Sequence, residues 1–156
     1  MNELETRLQT LAQEEETLIF SRFRLEDALD IGMKLYDRAK AEGHNIVIDI
    51  SVNRRTLFHL SMDGCAPDND VWAQKKANTV YRFLKGSYRA NSECEAMGMD
   101  LFSFYGVDPK EFCNAGGGFP ITVEGVGCVG AIACGGMMPT QDHQYVVDAV
   151  RAHLGC

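Results

Sequence analysis

Lys76 is the residue whose position most suggests chemistry, because it falls on the apolar side of an amphipathic segment. At 3.6 residues per turn, residues 68 to 85 place Trp72, Ala77 and Val80 on one side of a helix, and Lys76 lies among them. An unpaired buried ammonium costs on the order of several kcal/mol. Lys76 therefore extends to water, pairs with a carboxylate or faces a ligand, and the residues alone leave these three alternatives open.

Asp142 and His143 form a second candidate pair, at the start of the last predicted helix. The positive end of a helix stabilises a carboxylate and disfavours protonation of an imidazole. A neutral His143 can bind a metal ion, although capping or surface roles are commoner for such a residue. No two histidines have i, i+4 spacing, and the sequence singles out neither a metal site nor a pair of nucleophile and base.

The third feature is the glycine triplet Gly116-Gly117-Gly118, within a stretch from 116 to 136 that holds eight of the fifteen glycines. Residues without Cβ allow positive φ and bring backbone N–H groups close to a neighbour. The triplet is either a tight backbone crossing or a concave nest of N–H groups for a carboxylate or phosphate-like group, with Phe119 as an apolar wall. An anionic group between Lys76 and the triplet would meet both a charge and backbone dipoles.

The apolar spacing predicts five helices, at residues 3 to 18, 25 to 41, 68 to 85, 93 to 105 and from Pro139 to the C-terminal end. The fourth of these helices is either broken by Gly98 or ended by Gly106. Asp68 and Thr140 are the predicted N-caps of the third and the last of these helices. In the first helix, the acidic run from Glu14 to Glu16 lies unfavourably near the C-terminal end, so we expect the last turn to fray.

Two hairpins supply the predicted sheet. Alternating isoleucines predict a strand over residues 46 to 51, and a partner strand follows. A three-residue loop between them pairs Ile48 with Phe58 and places Asp49 and His59 on one face. The second hairpin crosses Glu124-Gly125 into a strand of small residues, against which a helix, another subunit or a ligand could lie. These elements predict an α/β domain of the α+β type, with four or five antiparallel strands and helices packed on them.

The composition fits one ordinary globular domain. The chain has 156 residues, of which 46% are hydrophobic and 24% are charged. A net charge of −7 argues against a general nucleic-acid or anionic-membrane binder. No apolar run approaches the length of a bilayer span, and the six cysteines contain no C-x-x-C pair, so we expect reduced thiols, a cytoplasmic location and no structural zinc.

The order of several motifs resembles a known family. Gly-Gly-Gly-Phe-Pro-Ile from 116 to 121, followed by Gly130-Ala131-Ile132, Gly136 and Gln141-Asp142, resembles the domain family of HbpS, GlcG and the PduO C-terminal region, often labelled haem-degrading. The segment from Pro67 to Trp72, together with Lys76 and Asp142-His143, is more similar to the uncharacterised cytosolic branch of that family. The resemblance covers roughly residues 20 to 154, which makes residues 21 to 156 the family domain and residues 1 to 20 an added helix of the same domain. Gly135 departs from the pattern, because a serine is common before Gly136.

The resemblance implies a homo-oligomer and, from better-known relatives, haem-like ligands; haem as a cofactor rests on the resemblance alone. The small-residue strand and the N-terminal leucine stripe also favour a homo-oligomer, because they offer more packing surface than one domain needs. Lys76-Ala77-x-Thr79 matches a Lys-Ala-x-Thr segment of the family, which favours a ligand-facing Lys76. The ligand-binding candidates are Lys76, Thr79, Gly116, Gly117, Gly118, Phe119, Asp142 and His143.

Three functions are consistent with these residues. The first is a small-molecule binding or sensing module for haem-like or anionic ligands. The second is an enzyme that acts on a small anionic substrate, with Lys76 and Asp142 or His143 as its chemistry. The third is an assembly or interaction protein without a ligand.

Overall fold

The protein is one antiparallel sheet with helices packed on it, as predicted, and the helices cover both faces. The computed structural model describes all 156 residues. The elements in chain order are α1 (Glu3–Thr17), α2 (Leu25–Glu42), β1 (Val47–Val52), β2 (Arg55–Ser61), α3 (Pro67–Phe83), α4 (Ser87–Ala96), α5 (Leu101–Tyr105), β3 (Gly118–Val123), β4 (Gly127–Gly135) and α6 (Pro139–Leu154). The strand order is β2-β1-β4-β3. None of the helices has the length and apolar character needed to cross a membrane.

The two faces of the sheet differ in the size of their side chains. Large residues, among them Ile48, Ile132 and Phe119, form the main core together with α2 and α6. On the other face, Ala131 and Ala133 of β4 pack with the alanines of α3 in a smaller core. The small residues of β4 therefore let α3 lie close to the sheet, so a helix of the same chain covers this strand.

The first hairpin differs from its prediction. A two-residue turn, Asn53-Arg54, joins β1 to β2 with φ angles of 51° and 64°, the left-handed conformation that suits the twist of two-residue hairpins. A bulge between Ile50 and Ser51 then shifts the register so that Asp49 lies opposite His59. The predicted three-residue loop is wrong, and the predicted sharing of one face by Asp49 and His59 is confirmed.

Helix boundaries differ at several predicted caps. Ala66 and Met138 are the N-caps of α3 and α6, and a proline follows each of them, so the predicted caps Asp68 and Thr140 are wrong. α3 ends at Phe83, and its C-cap Leu84 adopts the left-handed conformation. The helix predicted from 93 to 105 is broken around Gly98 into α4 and α5, which is one of the two predicted alternatives, but α4 already begins at Ser87.

α1 packs on the rest of the domain, most closely through its C-terminal half. Leu11 and Leu18 are buried in the same chain. Glu14 is buried as well, and the Glu15 carboxylate accepts a hydrogen bond from Gly86 N–H at 3.0 Å and one from Arg89 at 3.1 Å. The helix therefore continues to Thr17 and the expected fraying is wrong. Because this leucine stripe and the small residues of β4 are both covered internally, they no longer support the predicted oligomer.

Candidate functional site

A cleft lies where the starts of α3 and α6 meet. Its volume is about 360 Å³, and it is lined by Asp68, Asn69, Trp72, Lys76, Ala115, Gly136, Met137, Pro139 and Asp142. Asp68, Trp72 and Lys76 occupy one side of α3 at intervals of four residues. The loop after β4 and the first turn of α6 form the opposite wall. Of the eight predicted ligand-binding residues, the structure brings Lys76 and Asp142 to this cleft.

A buried ion pair forms the floor of the cleft. Lys76 Nζ lies 2.9 Å from Asp142 Oδ2 and also donates to the main-chain carbonyl of Cys134 at 2.9 Å. The two charged side chains are only 4% and 1% exposed. Of the three alternatives for Lys76, the structure therefore shows the pairing with a carboxylate.

The surroundings of Asp142 favour its uncharged form more than water does. Burial raises the pKa of the Asp142 carboxyl, and the attraction of Lys76 offsets this rise only in part. Asp142 Oδ1 also accepts a hydrogen bond from Met137 N–H at 3.2 Å. Cys134 Sγ lies 3.8 Å from the same oxygen, and burial raises the pKa of this thiol well above its ordinary value. Cys134 therefore stays a protonated core thiol and not a nucleophile.

The glycine triplet is a tight backbone crossing against this ion pair. Gly117 has a φ of 127°, and a Cβ at this position would lie 2.5 Å from the Cys134 carbonyl oxygen and 2.8 Å from Lys76 Nζ. A Cβ on Gly118 would lie 2.7 Å from the Lys76 carbonyl oxygen, and Gly118 N–H donates to Ser87 Oγ. Gly116 is similarly close to the Pro139 carbonyl. No ligand group fits between Lys76 and the triplet.

Thr79 and Phe119 have interior contacts. The Thr79 hydroxyl donates to the Lys75 carbonyl at 2.8 Å and accepts from Cys113 N–H at 3.1 Å. Phe119 is 1% exposed within the main core. Neither side chain lines the cleft.

His143 lies beneath α1. Its Nε2 atom is 2.8 Å from Glu14 Oε1, and the ring meets Tyr88 edge to face with centroids 5.2 Å apart. Nδ1 is buried and has no hydrogen-bond partner. Since a carboxylate accepts hydrogen bonds, Nε2 carries a proton and donates to Glu14. The imidazole is thus fixed by α1, away from the cleft that its neighbour Asp142 lines.

Trp72, Asp68 and Met137 were not among the predicted site residues. The first two could have been found, because they precede Lys76 by four and eight positions and share its side of α3. Met137 lies in the turn before α6, and no periodicity identifies it. Trp72 is 40% exposed, and the Lys75 ammonium lies 4.5 Å from the centre of its ring.

Comparison with protein families finds one match over most of the chain. Residues 23–151 match the family described as "Haem degrading protein HbpS-like". α1 lies outside this match. A UPF0303 protein of Pseudomonas entomophila is 42% identical over 148 residues, which are 95% of this chain and 82% of that protein. A UPF0303 protein of Paraburkholderia xenovorans is 38% identical over 95% of this chain and 90% of its own length.

Solved structures share the fold. The crystal structure of the Ybr137w protein has a TM-score of 0.87 and 26% identity, and the match covers 98% of this chain and 94% of that one. HbpS has a TM-score of 0.68 and 23% identity over 86% of this chain and 92% of its own. A complex of PduOC with haem has a TM-score of 0.72 and 18% identity over 83% of this chain and 94% of its own.

Proposed function

This chain belongs to the HbpS-like family, and we propose that it binds a small molecule in the cleft between α3 and α6. The ligand has a flat apolar part that contacts Trp72 and an oxygen atom that accepts a hydrogen bond from Lys76. The cleft volume of about 360 Å³ lies in the lower part of the range for small-molecule sites, about 300–1,000 Å³. A small metabolite therefore suits it better than a large cofactor.

The hydrogen-bonding capacity of Lys76 carries this proposal. An ammonium has three N–H donors, and the protein supplies two acceptors, Asp142 and the Cys134 carbonyl. Because Lys76 lines the cleft, the remaining donor is available to a ligand there. A carbonyl or carboxylate oxygen of the ligand is the matching acceptor.

The charges around the cleft narrow the ligand class. Asp142 already neutralises Lys76, and Asp68 adds a further carboxylate to the lining. A polyanion such as a nucleotide would meet more negative than positive charge here. The proposed ligand is therefore a neutral molecule or a monocarboxylate, and not the phosphate-like group that the sequence also suggested.

Trp72 supplies the apolar contact. An indole that is 40% exposed leaves a large ring surface for a ligand. The Lys75 ammonium, 4.5 Å from the ring centre, holds the indole by a cation–π contact. A ring or conjugated group of the ligand would stack on the part of the indole that faces the cleft.

Haem does not match the residues of this cleft. Among the usual axial ligands of haem iron, histidine, cysteine and tyrosine are missing from the lining, and Met137 is the only sulfur-bearing residue there. His143 is held by Glu14 outside the cleft. The haem in the PduOC complex belongs to a relative with 18% identity, so it gives no haem site in this chain.

We also propose that the protein is cytoplasmic, as the sequence predicts. Six cysteines without a disulfide are typical of proteins in a reducing compartment.

Tryptophan fluorescence tests the proposal directly, because Trp72 is the only tryptophan of the chain. We expect small aromatic monocarboxylates, such as benzoate and its ring-substituted relatives, to change the Trp72 emission in a saturable way. Ala115→Leu adds bulk to the cleft lining without changing Trp72 or the ion pair, and it should weaken the response. Ala96→Leu, at the exposed end of α4, is the matched control and should bind like the wild type.

The proposal fails if no member of the panel changes the emission, or if Ala115→Leu binds as well as Ala96→Leu. Hemin is titrated in parallel. A saturable Soret band that Ala115→Leu abolishes and Ala96→Leu preserves would assign the cleft to haem and overturn the ligand class argued above.

A further inference from the structure

Lys76 is the only buried lysine of the chain, and it lies at the wall of the cleft. Its side chain is 4% exposed, so the amine is shielded from bulk water. No ligand group fits between Lys76 and the glycine triplet, so a reactant can approach Nζ only from the cleft. A desolvated lysine beside a cavity is the arrangement in which this residue forms Schiff bases with carbonyl compounds.

Asp142 supplies the proton acceptor that such a reaction needs. An ammonium has no lone pair, so Nζ must release a proton before it attacks a carbonyl carbon. Asp142 Oδ2 lies 2.9 Å from Nζ, at hydrogen-bond distance for this transfer. Burial raises the pKa of the Asp142 carboxyl in spite of Lys76, which favours the protonated acid. Met137 N–H donates to the other carboxyl oxygen at 3.2 Å and orients the group.

No other nucleophile competes for a carbonyl compound in the cleft. The lining contains neither a second amine nor a thiol. Cys134 Sγ lies 3.8 Å from Asp142 Oδ1 but is buried in the main core and does not line the cleft. Lys75 contacts the Trp72 ring and also lies outside the lining. A carbonyl carbon in the cleft therefore meets one amine, that of Lys76.

We propose that the cleft captures small aromatic aldehydes as a Schiff base on Lys76. This inference rests on the binding function proposed above and names its substrate class. The ring of the aldehyde stacks on Trp72, and its oxygen accepts the free N–H of Lys76. The same pose places the carbonyl carbon next to Nζ, and an aldehyde is neutral, as the charges around the cleft favour.

The reaction restores the buried charge pair. A proton passes from Nζ to Asp142 Oδ2, and rotation about the Cε–Nζ bond turns the lone pair towards the cleft. The lone pair forms the bond to the carbonyl carbon, the C=O π pair moves to oxygen, and a proton moves from nitrogen to that oxygen. Asp142 then protonates the hydroxyl, the C–O bond breaks and water leaves. The product is an iminium ion beside the Asp142 carboxylate, and no oxidant or reductant is consumed.

Reductive trapping with benzaldehyde and cyanoborohydride tests this reaction, because the hydride converts the iminium ion into a stable secondary amine. A lysine in water is almost entirely protonated at about pH 7 and reacts slowly. The exposed Lys40 and Lys110 are therefore internal controls. Peptide mapping by tandem mass spectrometry should find Lys76 labelled at least about tenfold more than either control, because the cleft concentrates the aldehyde beside Nζ. Added benzoate should protect Lys76 and leave the controls unchanged.

Two variants complete the test. Lys76→Arg keeps a cation beside Asp142 but has no amine that can form an imine, so the label should be lost in a protein that circular dichroism shows to be folded. Ala115→Leu should reduce the labelling of Lys76, and Ala96→Leu should not. The proposal is overturned if Lys76 is labelled no more than Lys40 and Lys110, or if Lys75 takes the label in its place.

The Trp72 titration with benzoate on the same preparation separates this inference from the proposed function. If benzoate binds and benzaldehyde leaves Lys76 unlabelled, the Schiff base is refuted and the binding site stands. If Lys76 is labelled selectively but benzoate neither changes the Trp72 emission nor protects Lys76, the Schiff base stands and the binding of monocarboxylates is refuted.

Discussion

Replacing Lys76 by methionine separates the structural role of the ion pair from its role in binding. Methionine keeps most of the apolar stem and removes the charge. The substitution leaves the Asp142 carboxylate, 1% exposed, with Met137 N–H and the weak Cys134 S–H donor as partners. A charge left buried without its counter-ion is among the most costly changes in a protein interior.

The expected cost of Lys76→Met is about 3–5 kcal/mol of unfolding free energy, the range for breaking a buried pair by removing one partner. For a chain of this size, 1 kcal/mol corresponds to roughly 2–4 °C in Tm, so the melting temperature should fall by about 6–20 °C. Asp142→Asn added to Lys76→Met removes the stranded charge and keeps the acceptor for Met137 N–H. The double variant should therefore recover most of the loss.

Urea denaturation of the single and double variants measures these differences. Lys34→Met is the matched control. Lys34 also pairs with a carboxylate, that of Asp30 one helical turn away, but its side chain is 38% exposed. It should change stability by less than about 1 kcal/mol. The Trp72 titration on the same variants reports binding, and Lys76→Met should weaken it because the ligand loses its donor.

Two results would refute this reasoning. If Lys76→Met costs no more than Lys34→Met, the pair does not hold a buried charge. If Lys76→Met is strongly destabilised but binds the aromatic carboxylates as the wild type does, the ion pair is scaffold only, and the ligand has another donor.

Three further predictions concern other parts of the chain. Gly117→Ala should lower the unfolding free energy by about 2–5 kcal/mol, because the new Cβ would overlap the Cys134 carbonyl at a φ of 127°. The control is Gly125→Ala, which lies in open space at a φ of 77° and should lower it less. Equal melting temperatures of the two variants would contradict this prediction. Glu15→Ala should lower the unfolding free energy by about 1–3 kcal/mol and speed hydrogen exchange at Gly86, because the buried Gly86 N–H loses its acceptor. The control is Glu16→Ala, at an exposed residue. Equal exchange rates at Gly86 in both variants would refute the prediction. At His59, partial burial lowers the pKa, but hydrogen bonds to Asp49 and Asp70 outweigh it and the net pKa is raised above 6.5. A raised folded-state pKa stabilises the fold below 6.5, and this contribution is lost as pH rises through the folded-state pKa. His59→Gln should thus lower the unfolding free energy more at about pH 5.5 than at about pH 8.5. The difference between the two losses should be less than about 1 kcal/mol, because His59 and its carboxylate partners are partly exposed. A loss that does not change with pH would contradict this prediction.

The burial of Lys76 could be predicted from the sequence, but the identity of its partner could not. Helical periodicity placed this lysine on the apolar side of α3, and the structure confirms its burial. The partner Asp142 lies 66 positions further along the chain, and periodicity within one helix carries no information on which carboxylate another helix brings to it. Both residues could be named as candidates, whereas their contact could not.

The acidic run of α1 shows where a local rule is outweighed. The helix dipole disfavours carboxylates near a helix C-terminus by about 0.3–1 kcal/mol each. Glu14 and Glu15 instead accept hydrogen bonds from His143 and from Gly86 and Arg89, which lie 129, 71 and 74 positions away. Such charge-assisted contacts are stronger than the local dipole term, and no local pattern predicts them.

The prediction of a three-residue loop between β1 and β2 is wrong for a similar reason. Pairing rules applied to a regular ladder allow one register for each loop length, and the two-residue turn mixed polar and apolar residues on each face. The bulge between Ile50 and Ser51 adds one residue to the ladder, which combines the short turn with the favourable sharing of a face by Asp49 and His59.

Native mass spectrometry with the aromatic monocarboxylate panel is the most direct test of the proposed cleft. We predict one bound molecule per subunit for the wild type and for Ala96→Leu, and none for Ala115→Leu at the same concentration. The binding proposal is contradicted if the wild type retains no member of the panel, or if Ala115→Leu retains as much as the wild type.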